Sequence, residues 1–126
     1  MLLRVRAGEL ESGRQWVYAW LAHDGVVYVG ATALHPETRT WLHLHHDDPA
    51  IGRMRARFAD LADEELDVVA VELPDGVDRQ QVRHSAVTEL GVRGLLSERQ
   101  VCDPPLEAAP SPETERFVAE IEQRLG

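Results

Sequence analysis

The chain has 126 residues and a mass of 14.1 kDa, enough for one hydrophobic core and too little for two. Apolar residues make up 44% and charged residues 28% of it, which excludes wholesale disorder and a fibrous repeat. Its 22 acidic residues against 13 basic ones leave a net charge of −9, which opposes the general attraction on which non-specific nucleic-acid binding depends.

No run approaches the ~20 apolar residues needed to cross a bilayer, and the start, Met1-Leu2-Leu3-Arg4-Val5-Arg6, lacks the apolar core of a signal peptide. A cytoplasmic protein with no membrane partner is expected. The single cysteine, Cys102, has no internal disulfide partner and reads as an inert small residue. Every basic residue is arginine, and the chain contains neither lysine nor asparagine.

In chain order, Leu3, Val5 and Ala7 alternate with Arg4 and Arg6, so residues 2 to 7 predict a short edge strand or extended arm. Gly8 to Gly13 is polar and reads as a loop. Trp16 to Ala22 and Val26 to Gly30 are rich in aromatic and apolar residues, and His23-Asp24-Gly25 between them marks a hairpin. Were Asp24-Gly25 a two-residue turn, paired residues would sum to 49 and Tyr18 and Tyr28 would fall on opposite faces. A three-residue loop with Gly25 left-handed makes pairs sum to 48, sets Tyr18 opposite Gly30, and puts both tyrosines on one face.

Pro36 suits a helix start, and Trp41, Leu42 and His45 follow at helical spacing, predicting a helix over 36 to 46 with Arg39 and His43 one turn apart. Asp48-Pro49 has the form of an N-cap and first residue, and Ile51, Met54, Phe58 and Leu61 extend a second helix to about residue 62. Leu66 to Leu73, with Val68, Val69 and Val71, predicts a buried strand. Asp78 caps a helix with Val82, Ala86, Val87 and Leu90 on its apolar side and Gly91 as its stop. Asp103-Pro104-Pro105 breaks the chain. Residues 1–103 thus form a domain, 104–111 a linker, and Ser111-Pro112 opens a C-terminal helix over 112–126. Its stripe of Phe117, Val118, Ile121 and Leu125 must dock on the domain or on another chain, as in a homodimer or a complex with a partner protein.

Across about residues 15 to 100 the sequence resembles the GIY-YIG nuclease family. Trp16-Val17-Tyr18 stands in the place of the first signature triplet and Tyr28-Val29-Gly30 in the second, with Thr32, Arg39 and His43 following at the family's spacing. The resemblance implies a small α/β (α+β) domain with a three-stranded antiparallel sheet flanked by helices. It also implies metal-dependent phosphodiester hydrolysis, with Tyr18, Tyr28, Arg39 and His43 as catalytic residues and Gly30, Thr32 and Ser97 beside the substrate. The chemistry fits these residue types. A guanidinium stabilises charge building on a phosphoryl group, and a phenol acts as a base only where a cation stabilises its phenolate. A histidine one turn from Arg39 can share the proton traffic.

The departures concern the metal. Aligning Gly94-Leu95-Leu96-Ser97 with the end of the family's segment puts His84 at the position of its metal-binding glutamate and Ser97 at that of its asparagine. Glu89 lies about 140° around the helix from His84. Histidine removes the hard oxygen that magnesium prefers and suits manganese, zinc or nickel better.

Three other features read first as ordinary surface or packing. His43, His46 and Asp47 can share a helical face that invites a metal but reads as a polar helix end, Arg53, Arg55 and Arg57 could touch phosphate but read as a solvated face, and His84 by itself is a satisfied structural histidine. Two functions follow as expectations: a divergent hydrolase acting on nucleic acid or a related phosphate, or a non-catalytic module binding a small anionic ligand.

Overall fold

Strand β3 (Gln15–Ala22) runs down the middle of a three-stranded antiparallel sheet, between β4 (Gly25–Thr32) and β5 (Asp67–Leu73). The computed structural model describes residues 4–6, 9–11 and 14–126. Helices α1 (Pro36–His45) and α2 (Arg53–Arg57) belong with one face of the sheet, and α3 (Arg79–Val92) and α4 (Pro112–Leu125) with the other. This is the α+β architecture that the sequence predicts.

Alternation along β3 divides the core in two. Val17, Ala19 and Leu21 pack with Val29, with Val82, Ala86 and Leu90 of α3, and with Phe117, Val118 and Ile121 of α4. Tyr18 and Trp20 point the other way, joining Tyr28, Met54 and Phe58. Full burial of side chains of this size contributes about 1.5–3 kcal/mol each, so both faces are needed to hold a sheet of only three strands.

The hairpin reaches the expected register by a different route. Tyr18 pairs with Gly30 and Trp20 with Tyr28, but Leu21 pairs with Val26 and Ala22 with Gly25. The turn is therefore the two residues His23-Asp24, and a bulge at Val27 restores the register that a three-residue loop would have given. Val27 and Tyr28 consequently share one face while Val26 lies on the other. The Val27 carbonyl turns outward to accept from Val101 N at 2.7 Å. Gly25 has a φ of 135°, as the expected left-handed glycine requires.

Four other expectations change. Residues 9–11, read as loop, form β2 (Glu9–Glu11), which pairs with β1 (Arg4–Arg6), because a polar strand is recognisable only once it has a partner. The rest of the arm over 2 to 7, and Gly8 and Gly13, lie outside the described residues. The helix predicted from Pro49 to about residue 62 shrinks to Arg53–Arg57. Its first turn is consumed by a tight turn in which Gly52 N donates to Asp48 O at 2.7 Å, and a Cβ on Gly52 would overlap the His46 carbonyl. Strand β5 is an edge strand with Asp67, Ala70 and Glu72 exposed rather than a buried one. Helix α3 runs past Gly91 and stops at Gly94, whose φ is 71°.

The C-terminal stripe docks on its own domain. Phe117, Val118 and Ile121 are fully buried and Leu125 packs beside them. Ser111 and Thr114 form a capping box at the helix start, and Thr114 Oγ1 meets Ser85 Oγ of α3 at 2.7 Å. Among the described residues no helix is long and apolar enough to cross a membrane.

Candidate functional site

Tyr18, Tyr28, Arg39 and His43 converge. Because Tyr18 and Tyr28 share a face, their ring centroids lie 6.2 Å apart, and His43 of α1 fits between Tyr18, Trp20 and Tyr28 at 5.6, 5.8 and 5.3 Å. Tyr18 Oη stands 2.6 Å from His43 Nε2 and also forms a hydrogen bond with Arg39. Arg39 can only donate to that oxygen, and the direction of the bond between Tyr18 and His43 is set by the tautomer of the ring. Nδ1 is buried without a partner.

Gly30 makes this geometry possible. It pairs with Tyr18 across the ladder, and a Cβ there would overlap the Tyr18 hydroxyl. Thr32, at the end of β4, turns its hydroxyl to accept from Leu34 N at 2.9 Å and closes one side of the site.

The environment makes His43 and Tyr18 poor proton-transfer partners. Burial, and then the charges of Arg39 and Arg53, pull the His43 pKa down to about 3. Burial and the neighbouring Tyr28 raise that of Tyr18, and Arg39 and Arg53 only partly offset them. The imidazole is neutral and the phenol protonated at neutral pH. Passing the Tyr18 proton to His43 would be uphill by about 1.4 kcal/mol for every unit between them.

In front of Tyr18 opens a hollow of about 280 Å³. Arg39 enters it from α1, Arg53 from α2, and Arg79, Gln80 and Arg83 from the first turns of α3, while Asp103 is the single carboxylate on its wall. Arg53 Nη1 donates to Asp103 Oδ2 at 2.7 Å and to Tyr28 Oη at 3.3 Å, and Arg57 Nη1 donates to Asp103 Oδ1 at 2.9 Å. Burial opposes ionisation of Asp103, but the hydrogen bonds and charges of Arg57 and Arg53 outweigh it and hold the carboxyl below its ordinary range. Arg39 and Arg79 make no ion pair among the described residues, and Arg79 Nε is buried without a hydrogen-bond partner.

His84 and Ser97 stay outside. One residue past Arg83, His84 turns about 100° away around the helix. Its Nδ1 accepts from Leu106 N at 3.0 Å and its Nε2 lies 3.2 Å from Arg83. Arg83 is the residue of that turn that lines the hollow. Ser97 is buried at the tip of the hairpin, where its hydroxyl donates to Asp24 at 2.6 Å. Nor do His43, His46 and Asp47 gather. His46 accepts from Asp48 N and Asp47 pairs with Arg55 at 2.7 Å.

The metal that the resemblance implies does not fit the residues present. Four guanidiniums face one carboxylate, already engaged by arginine, and among the described residues no three of His, Cys, Asp and Glu are grouped. Magnesium is usually held by one or two carboxylates with waters and substrate phosphates, and the carboxylate of this hollow is already engaged by Arg53 and Arg57.

The sequence pattern does not single out Arg79, Gln80, Arg83 and Asp103, and Arg53, read there as part of a solvated face, instead lines the hollow. One signal was present: Arg79 and Arg83 begin a helix with no acidic residue in its first turn, where the macrodipole disfavours cations. Comparison with known proteins gives no match to any family model, to any curated protein or to any solved structure.

Proposed function

We propose that this chain is a phosphate-binding domain of GIY-YIG-like descent, in which Arg39, Arg53, Arg79 and Arg83 hold the anionic group against Tyr18 and Tyr28. The observation that carries this reading is the concentration of four guanidiniums around one hollow with a single carboxylate, in a chain whose net charge is −9. Arginines collected against the overall charge cost self-repulsion that a bound anion relieves. Their planar forks match phosphate oxygens. The converged tyrosines, Arg39 and His43 support the family resemblance. Isothermal titration of the full chain with pyrophosphate tests the reading: binding that weakens about tenfold or more in Arg39→Gln supports it, and no heat with any phosphate overturns it.

Phosphodiester hydrolysis is the second reading, favoured by the contact between Tyr18 and His43 beside Arg39. It stands behind binding because neither side chain is poised to release or take the proton. Cleavage of single- or double-stranded DNA or RNA with magnesium, manganese, zinc or nickel, lost in Arg39→Ala, would establish it.

A further inference from the structure

The charge balance of the hollow bears on which phosphate it takes. Asp103 lies 2.7 Å from Arg53, 2.9 Å from Arg57 and 3.9 Å from Arg83, so its one negative charge is shared among three guanidiniums. Arg39 and Arg79 have no carboxylate partner among the described residues. We infer that the ligand group is a phosphomonoester dianion, a terminal phosphate carried on one organic substituent, rather than the singly charged diester of an internal nucleic-acid backbone. This rests on the phosphate-binding reading above.

The surroundings favour a chain end over a chain. A second hollow of about 410 Å³ also borders on Arg79, and Arg14, Asp75 and Asp78 are among its walls. With two guanidiniums against two carboxylates on its walls among the described residues, that hollow has no excess of positive charge to hold the next phosphate of a polynucleotide, and a neutral substituent suits it. Entry of a long polyanion is further opposed by the net charge of −9.

A monoester changes from dianion to monoanion with a pKa of about 6, and a diester keeps one charge throughout. The groups that face the hollow are the four guanidiniums, the two phenols and Asp103, with His43 behind Tyr18 and His84 beside Arg83. Arginines stay charged, the Asp103 carboxyl is held below its usual range, and both histidines are shifted downward. His84 can only add positive charge beside Arg83 as pH falls, which would favour an anion in acid, so tighter binding at the higher end of the range from about pH 5 to 7.5 reports the titration of the ligand itself.

The experiment is calorimetric titration of the wild-type chain with phenyl phosphate and with methyl phenyl phosphate at both ends of that range. Phenyl phosphate should bind about tenfold more tightly at the higher pH and methyl phenyl phosphate equally weakly at both, with the preference lost in Arg79→Gln. Equal, pH-independent affinity for the two probes overturns the inference and leaves the phosphate-binding reading standing. Binding of neither probe, nor of pyrophosphate, overturns both. A short single-stranded oligonucleotide with a 5′-phosphate distinguishes the sources: tighter binding than phenyl phosphate assigns a nucleic-acid end, and equal binding a small molecule. An oligonucleotide or duplex with 5′-hydroxyl ends that binds as tightly overturns the inference.

Discussion

Arg99 and Arg39 both serve the β3–β4 hairpin, one near its tip and the other beside the tyrosines, and their surroundings are opposite. Arg99 is held by Asp24 at 2.8 Å, by Asp60 at 3.4 Å and by Glu64, and it also lies over the Phe58 ring. Its hydrogen bonds, with that of Ser97, hold the Asp24 carboxyl far below the ordinary range. Beside the tyrosines, Arg39 meets a phenol oxygen and no carboxylate among the described residues. Cations matched by carboxylates fasten segments that are distant in sequence. Cations in excess of carboxylates leave capacity for a ligand. The same residue type thus serves two purposes, and the carboxylates around it decide which.

The largest effect should be common to both regions. Phe117→Ala opens a cavity in the face of the core shared by β3, α3 and α4, and a loss of about 3–5 kcal/mol is expected in urea denaturation. A loss under about 1 kcal/mol would mean that α4 is not part of the cooperative unit.

Next comes Tyr18→Phe, which leaves His43 Nε2 buried without its partner and Arg39 without the phenol oxygen. Stability should fall by about 1–3 kcal/mol, and phosphate binding should weaken with it.

Acid should separate the two regions. His43 has a folded pKa of about 3 against 6.5 when unfolded, so between these values the unfolded chain binds the extra proton. Stability attributable to this burial is complete above pH 6.5 and is lost as pH falls towards 3, at about 1.4 kcal/mol per unit. His84 adds to the loss in the same direction. Asp24, with its pKa lowered, weakens the tip only further into acid. Chemical denaturation at a series of pH values should show the first limb vanish in His43→Gln and remain in Arg99→Gln.

The smallest effects test the contrast most directly. Arg99→Gln should lower the melting temperature without changing phosphate affinity. Asp103→Asn should leave the fold intact and tighten phosphate binding several-fold, because it removes the one carboxylate that lines the hollow among the described residues. Weaker binding in Asp103→Asn would show that the carboxylate positions the guanidiniums and does not merely neutralise them.

Local chemistry by itself determined much of this protein. Alternation from Trp16 to Gly30, Pro36 opening α1, Asp78 capping α3 and the Ser111-Pro112 start of α4 are each written within a few residues, because strand pleat and helix caps are short-range. The convergence of Tyr18, Tyr28, Arg39 and His43 was legible through a register of 48 and one helical turn, although the bulge at Val27 was not. Tertiary structure alone decided the rest. The polar β2, the shortened α2 and the edge position of β5 depend on which partner each segment meets. So does the division of the arginines. Arg53 in the hollow and Arg55 on the surface are two residues apart, and only the fold brings Asp103 to the first and Asp47 to the second. Whether a guanidinium is spent or available depends on the carboxylates that arrive from elsewhere in the chain, and that is a property of contacts, not of spacing.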